Sequence, residues 1–209
     1  MKKKLMAVLL GTVMVFSLAA CGGSKAGFTD DDLVFKGGSE EVTVAINHYL
    51  YVGEDDIGKY TEYDGLYADD YELYEEALET SRGLTTGMDI SEYKDLYAVK
   101  NGYAAWELIT YDDEGSTTRF DSYTNQSASD VYAKADSAWL DLGWCRENGK
   151  WRAMTDVEVM DVWFCEANYS DFGEVVILSV FVNNRDKVGA IDFYHFTYNS
   201  DWAALQDWQ

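Results

Sequence analysis

The chain has 209 residues, 47% hydrophobic and 26% charged, with 15% aromatics and no proline at all. So many aromatics exclude a disordered chain, and the missing proline excludes proline-rich linkers and polyproline ligands. A formal charge of −22 argues against nucleic acid as a partner.

The N-terminus reads as an address. Lys2, Lys3 and Lys4 precede an apolar run from Leu5 to Leu18 that only Gly11, Thr12 and Ser17 interrupt. That run is a secretory signal, too short for a settled membrane span. Its ending, Leu18-Ala19-Ala20-Cys21, resembles the lipobox of bacterial lipoproteins of Gram-positive type. The resemblance implies cleavage before Cys21, a diacylglycerol thioether on its sulfur and a fatty acyl group such as palmitate on its new amine. The expected location is the extracytoplasmic face of the bacterial cell membrane, with the lipid on Cys21 as the membrane contact. Residues 1–20 are thus a signal peptide, and 21–38 hold the lipidated cysteine and a tether that begins with the small residues 22–27. Residues 39–209 form a single domain. Loss of three lysines and no acids takes the mature charge from −22 to −25, which keeps the body soluble and repels anionic head groups.

Within that domain, Val42–Val52 is β-branched and aromatic and predicts a strand ended by Glu54-Asp55-Asp56. Tyr67, Tyr71, Tyr74 and Leu78 then fall on one helical face, predicting a helix over 66–79 with Asp64 as N-cap and Gly83 just past its end. On that reading Tyr71 packs on the sheet, and truncating it costs several kcal/mol. The strand and this helix could also form a degenerate first repeat. Asp89 and Glu92 suggest a capped start for a short helix carrying Ile90, Tyr93, Leu96 and Tyr97. Residues 102–111 and 116–123 predict a hairpin, and 130–142 a third helix with Val131, Ala135, Ala138 and Leu142 inward and Gly143 as its stop. Strands are predicted at 151–154, 157–167, 175–182 and 188–198, with Asn183–Lys187 as a hairpin loop. Strand runs with helices set apart imply an α+β fold, an antiparallel sheet with a few short helices packed on one face.

The stretch Thr80–Tyr97, beginning Thr-Ser-Arg-Gly, resembles a motif of small secreted Gram-positive lipoproteins. In outline these are similar to the β-lactamase-inhibitor-like and outer-membrane-assembly-lipoprotein small α+β folds. The resemblance covers about 18 residues and implies protein binding or scaffolding.

Catalytic signatures are lacking: there is no nucleophile elbow, zinc-protease helix, Walker loop or dinucleotide fingerprint. His48 and His195 lie in predicted strands beside aromatics and read as packed or rim residues. The acid runs at 30–32, 54–56, 69–70 and 112–114 lack the spacing of a calcium loop and read as solvated turns. No metal and no cofactor is expected. Outside the membrane Cys145 and Cys165 are disulfide candidates, and a bridge would contribute roughly 3 kcal/mol. Two buried free thiols are the other reading. Tryptophans concentrate toward the C-terminus, where they serve a core or a contact face for protein or glycan. The expectation is a non-catalytic binding or scaffolding module. The alternative is a carboxylate-dependent envelope hydrolase, and a solute-capture role fits a chain this short least well.

Overall fold

The computed structural model describes residues 27–65, 71–97, 105–112, 115–122, 136–164, 172–183 and 185–197. A 3-10 turn at Asp30–Leu33 leads into β1 (Val34–Gly37), which pairs with β2 (Glu40–Thr43) and with β6 (Glu79–Thr80) in a small antiparallel sheet. The large sheet runs β5 (Tyr71–Tyr74), β4 (Lys59–Gly65), β3 (His48–Glu54), β12 (Val188–Thr197), β11 (Glu174–Val182), β9 (Ser137–Glu147), β7 (Ala105–Asp112) and β8 (Gly115–Ser122). β10 (Lys150–Ala153) pairs with the far end of β9. Two short helices complete the set, α1 (Ile90–Tyr97) and α2 (Asp156–Phe164). The architecture is α+β, built on antiparallel sheets.

The small sheet and α1 seal one face of the large sheet. Phe35, Val42, Leu78, Leu84, Ile90 and Tyr93 meet Leu50, Val52, Leu142, Leu178, Ile191 and Phe193 in one buried cluster. Alternation puts the intervening residues on the other face. There α2 contributes Val159 and Val162 to a second cluster with Cys145, Val175, Ile177 and Phe196. The two helices therefore lie on opposite faces.

Folding begins earlier than the expected boundary at residue 39. Phe28, Leu33 and Phe35 are buried, and Asp32 forms a buried ion pair with Arg82 (Nε–Oδ1 2.7 Å). The guanidinium also donates to Leu96 O at 3.1 Å and lies over the Tyr97 ring. The Thr-Ser-Arg-Gly segment thus fastens the turn at Asp32 to α1.

Four sequence-predicted elements differ. The strand at 42–52 is two strands, because Asn47 takes a left-handed conformation (φ 61°) and turns the chain from one sheet to the other. The helix expected at 66–79 is absent over its described part, where Tyr71–Tyr74 pairs with β4 as a strand. Its acids have no base to offset their repulsion along a helix. Tyr71 is accordingly exposed (55%) and does not pack in the core, while Leu78 does; Tyr67 lies outside the described residues. The helix expected at 130–142 is, from Ser137 onward, strand β9. Ala138, Leu140, Leu142 and Trp144 are inward at period two. Gly143 does not stop a helix: a Cβ there would sit 2.6 Å from Val159 Cγ2, so it is the place where α2 closes on the sheet. Conversely, the strand expected at 157–167 begins as α2. Thr155 and Glu158 cap it reciprocally, Glu158 N to Thr155 Oγ1 at 3.2 Å and Thr155 N to Glu158 Oε2 at 2.7 Å.

Candidate functional site

Beyond the cover of α2, the far face of the large sheet carries a row of polar and aromatic residues on adjacent strands. Cα partners run Leu73–Glu62 from β5 to β4, Glu62–Tyr51 to β3, Tyr51–Asp192 to β12, Asp192–Ser179 to β11 and Ser179–Asp141 to β9. The neighbouring row holds Tyr49 and Tyr194, stacked with ring centroids 5.3 Å apart. Trp163 of α2 meets Tyr194 edge-on at 5.1 Å and donates from Nε1 to Asp141 Oδ2 at 3.0 Å.

Electrostatics split these groups. Burial pushes the half-buried Asp192 carboxyl up to about 7, with the charges of Asp141 and Glu62 adding to the effect. The Tyr194 hydroxyl donates to Asp192 Oδ2 at 3.4 Å, which opposes that rise only in part. The tyrosines respond in the same sense: burial and the nearby carboxylates hold Tyr49 and Tyr194 well above the ordinary phenol range and raise Tyr51 to about 12. These hydroxyls stay protonated near neutrality and can donate to a ligand's acceptors, while Glu62 and Asp141 can accept.

At its β4–β5 end the face opens into a groove of about 620 Å³. Ile57, Tyr71 and Leu73 line it and are exposed by 96%, 55% and 57%. Asp55, Glu62 and Glu75 supply carboxylates. Asp55 also holds the β3–β4 turn, accepting from Ile57 N at 2.7 Å and Gly58 N at 3.2 Å. Lys59, the one lysine among the described lining residues, donates to Thr86 O at 3.2 Å.

The residues singled out from the sequence lie elsewhere. Cys21 and Cys165 fall outside the described residues. Cys145 carries a free, buried thiol that burial raises to about 11, and no disulfide joins the described residues. His195 is buried between Val44 O (Nδ1, 2.7 Å) and Glu174 Oε1 (Nε2, 2.8 Å), and it ties the β2–β3 link to the sheet. His48 stacks on Tyr63 at 5.2 Å. Of the first acid run, Asp32 pairs with Arg82, and Asp30 accepts from Arg146 and from Trp151 Nε1. No group of three metal-ligating side chains occurs among the described residues. Sequence reasoning missed Asp192 and Tyr194, although both alternate with Ile191 and Phe193 along one strand. That alternation was the available signal.

No family model, curated protein or solved structure matches the chain.

Proposed function

We propose that this protein is a lipid-anchored module of the bacterial cell surface that binds a protein or envelope component without catalysis. One observation carries the binding role: Ile57, Tyr71 and Leu73 stand exposed around a single groove on an otherwise acidic surface. Exposed apolar groups gathered with tyrosines mark contact surfaces more often than chance leaves them there. The faint likeness of Thr80–Tyr97 to small lipoproteins with binding roles points the same way. Affinity capture from cross-linked cells tests the module. A partner recovered with the wild-type chain should be lost with a Tyr71→Ala, Leu73→Ala double variant, and equal recovery would move the contact elsewhere.

Anchoring rests on the lipobox. Cys21→Ala should release the chain from the membrane fraction or leave it unprocessed. Wild-type membrane association with cleavage at the same place would remove the anchor from the proposal.

Asp192 favours a second reading, a carboxylate hydrolase. A carboxyl raised to about 7 can act as a general acid near neutrality. Asp141 lies two strands away in the same row, about 10 Å between Cα atoms by ordinary strand spacing. Turnover of peptidoglycan by the full chain, abolished by Asp192→Asn, would put that reading first.

A further inference from the structure

The binding reading leaves the partner's chemistry open, and the β5 corner narrows it. β5 is the terminal strand of the large sheet and pairs only with β4 among the described residues. Its outer backbone edge is therefore a template for one more strand. The groove of about 620 Å³ lies on one side of β5, and a second groove of about 340 Å³, reaching Glu40, Glu76 and Leu78, lies on the other. Leu73 and Glu75 border both. A strand added to this edge would send alternate side chains into the two grooves. Both are walled by carboxylates, Asp55, Glu62 and Glu75 on one side and Glu40, Glu75 and Glu76 on the other.

Charge then selects the occupant. Anionic envelope polymers are repelled, and so is a second copy of a chain with formal charge −22. Ammonium or guanidinium groups would find carboxylates within reach and the tyrosines Tyr60 and Tyr71 in the same lining. We infer that β5 receives an extended segment of a partner protein bearing lysine or arginine, added as a strand to the sheet edge with its cations in the flanking grooves. This rests on the binding-module reading and names the partner class for that same site.

The test uses the full chain in neutral detergent and a labelled, end-blocked peptide in which pairs of lysines alternate with pairs of valines, so that lysines face both grooves, followed by fluorescence anisotropy. The peptide should bind, more weakly with added salt, whereas its counterpart with glutamate in place of lysine should not bind. N-methylation of every second amide should weaken binding roughly tenfold or more, because it removes strand hydrogen bonds and leaves the charge. A Glu62→Gln, Glu75→Gln double variant should weaken it by a similar factor. Glu92→Gln with Asp186→Asn removes as much charge elsewhere and should leave binding nearly unchanged. Three results overturn the inference: no binding, binding indifferent to N-methylation, or equal loss in both charge variants. Capture from cells that still depends on Tyr71 and Leu73, with no peptide binding, would keep the module reading and discard this partner class.

Discussion

Two acidic corners of the molecule use their carboxylates in opposite ways. At the N-terminal corner Asp32 is buried and each of its oxygens is matched. Oδ1 accepts from Arg82 Nε at 2.7 Å and Ser81 Oγ at 2.8 Å, and Oδ2 from Arg82 Nη2 at 2.7 Å and Thr29 N at 2.8 Å. At the β4–β5 corner Glu62 and Glu72 accept from tyrosine hydroxyls, Tyr71 to Glu62 at 3.3 Å and Tyr74 to Glu72 at 2.8 Å, in bonds open to solvent, and Asp55 accepts from the backbone of its own turn. The first arrangement has spent its hydrogen-bonding capacity on the fold. The second keeps acceptor positions for something else. In a chain with 38 acids, counting carboxylates says little, and what matters is which already have cations.

The comparison breaks most sharply at Arg82. Arg82→Ala leaves Asp32 buried without its cation, so unfolding in denaturant should show a loss of about 3–5 kcal/mol. The pH dependence follows from Asp32. Burial alone would raise its pKa, but the Arg82 hydrogen bonds hold it below the ordinary 3.8. A lowered folded value contributes stability that is present above about pH 4 and lost as pH falls through the folded value. The wild type should therefore lose this contribution on acidification, and Arg82→Ala should show a flatter acid limb. A loss under about 1 kcal/mol would mean the pin matters less than packing around it.

Asp192 gives the next largest effect, with the opposite sign. Its folded value near 7 lies above the ordinary 3.8, so the native state binds the proton more tightly. Stability falls as pH rises from about 4 to about 7. Asp192→Asn removes that cost, so the variant should be more stable than wild type at the upper end of this window, by on the order of 2 kcal/mol given the half-open position, and should melt at a higher temperature there. Parallel pH profiles for variant and wild type would show the carboxyl to be ionised and well solvated.

The smallest effect sharpens the contrast from the other side. Tyr71→Ala and Leu73→Ala remove exposed side chains from an edge strand and should each change stability by within about 0.5 kcal/mol. Thermal unfolding measures it. Several kcal/mol for Tyr71 would restore the core role that helical spacing suggested.

Legibility in the sequence followed the strength of the local signal. The β11–β12 hairpin was readable because Val175–Val182 and Val188–Thr197 are β-branched or aromatic runs around a polar loop. The short helix α1 announced itself by Asp89 and by spacing. Residues 137–145 misled because Ala138 and Leu142 satisfy both a four-residue and a two-residue period, and only pairing with β11 and β7 decides between them. Segment 71–78 misled for a related reason: aromatic spacing suited a helix, but the surrounding acids made an isolated helix unstable and β4 offered hydrogen bonds. Two signals were present and went unread. Thr155-Asp156-Val157-Glu158 is a capping box, and Asn148-Gly149, both at positive φ (50° and 75°), is the hairpin dipeptide that joins β9 to β10. The candidate site could not be read in advance, because its row draws one residue from each of six strands and only register assembles it.

The pinned N-terminal corner also sets the length of a leash. With the lipid proposed on Cys21 and Phe28 already buried in the body, seven residue steps join anchor to fold, and they span at most about 25 Å however the chain runs. On that proposal, a body held so close would search a shallow dome over the bilayer rather than the depth of the cell wall. Within that dome its effective concentration toward a neighbouring membrane-bound partner would reach about the millimolar range, and a weak strand-edge contact would suffice to hold the two together.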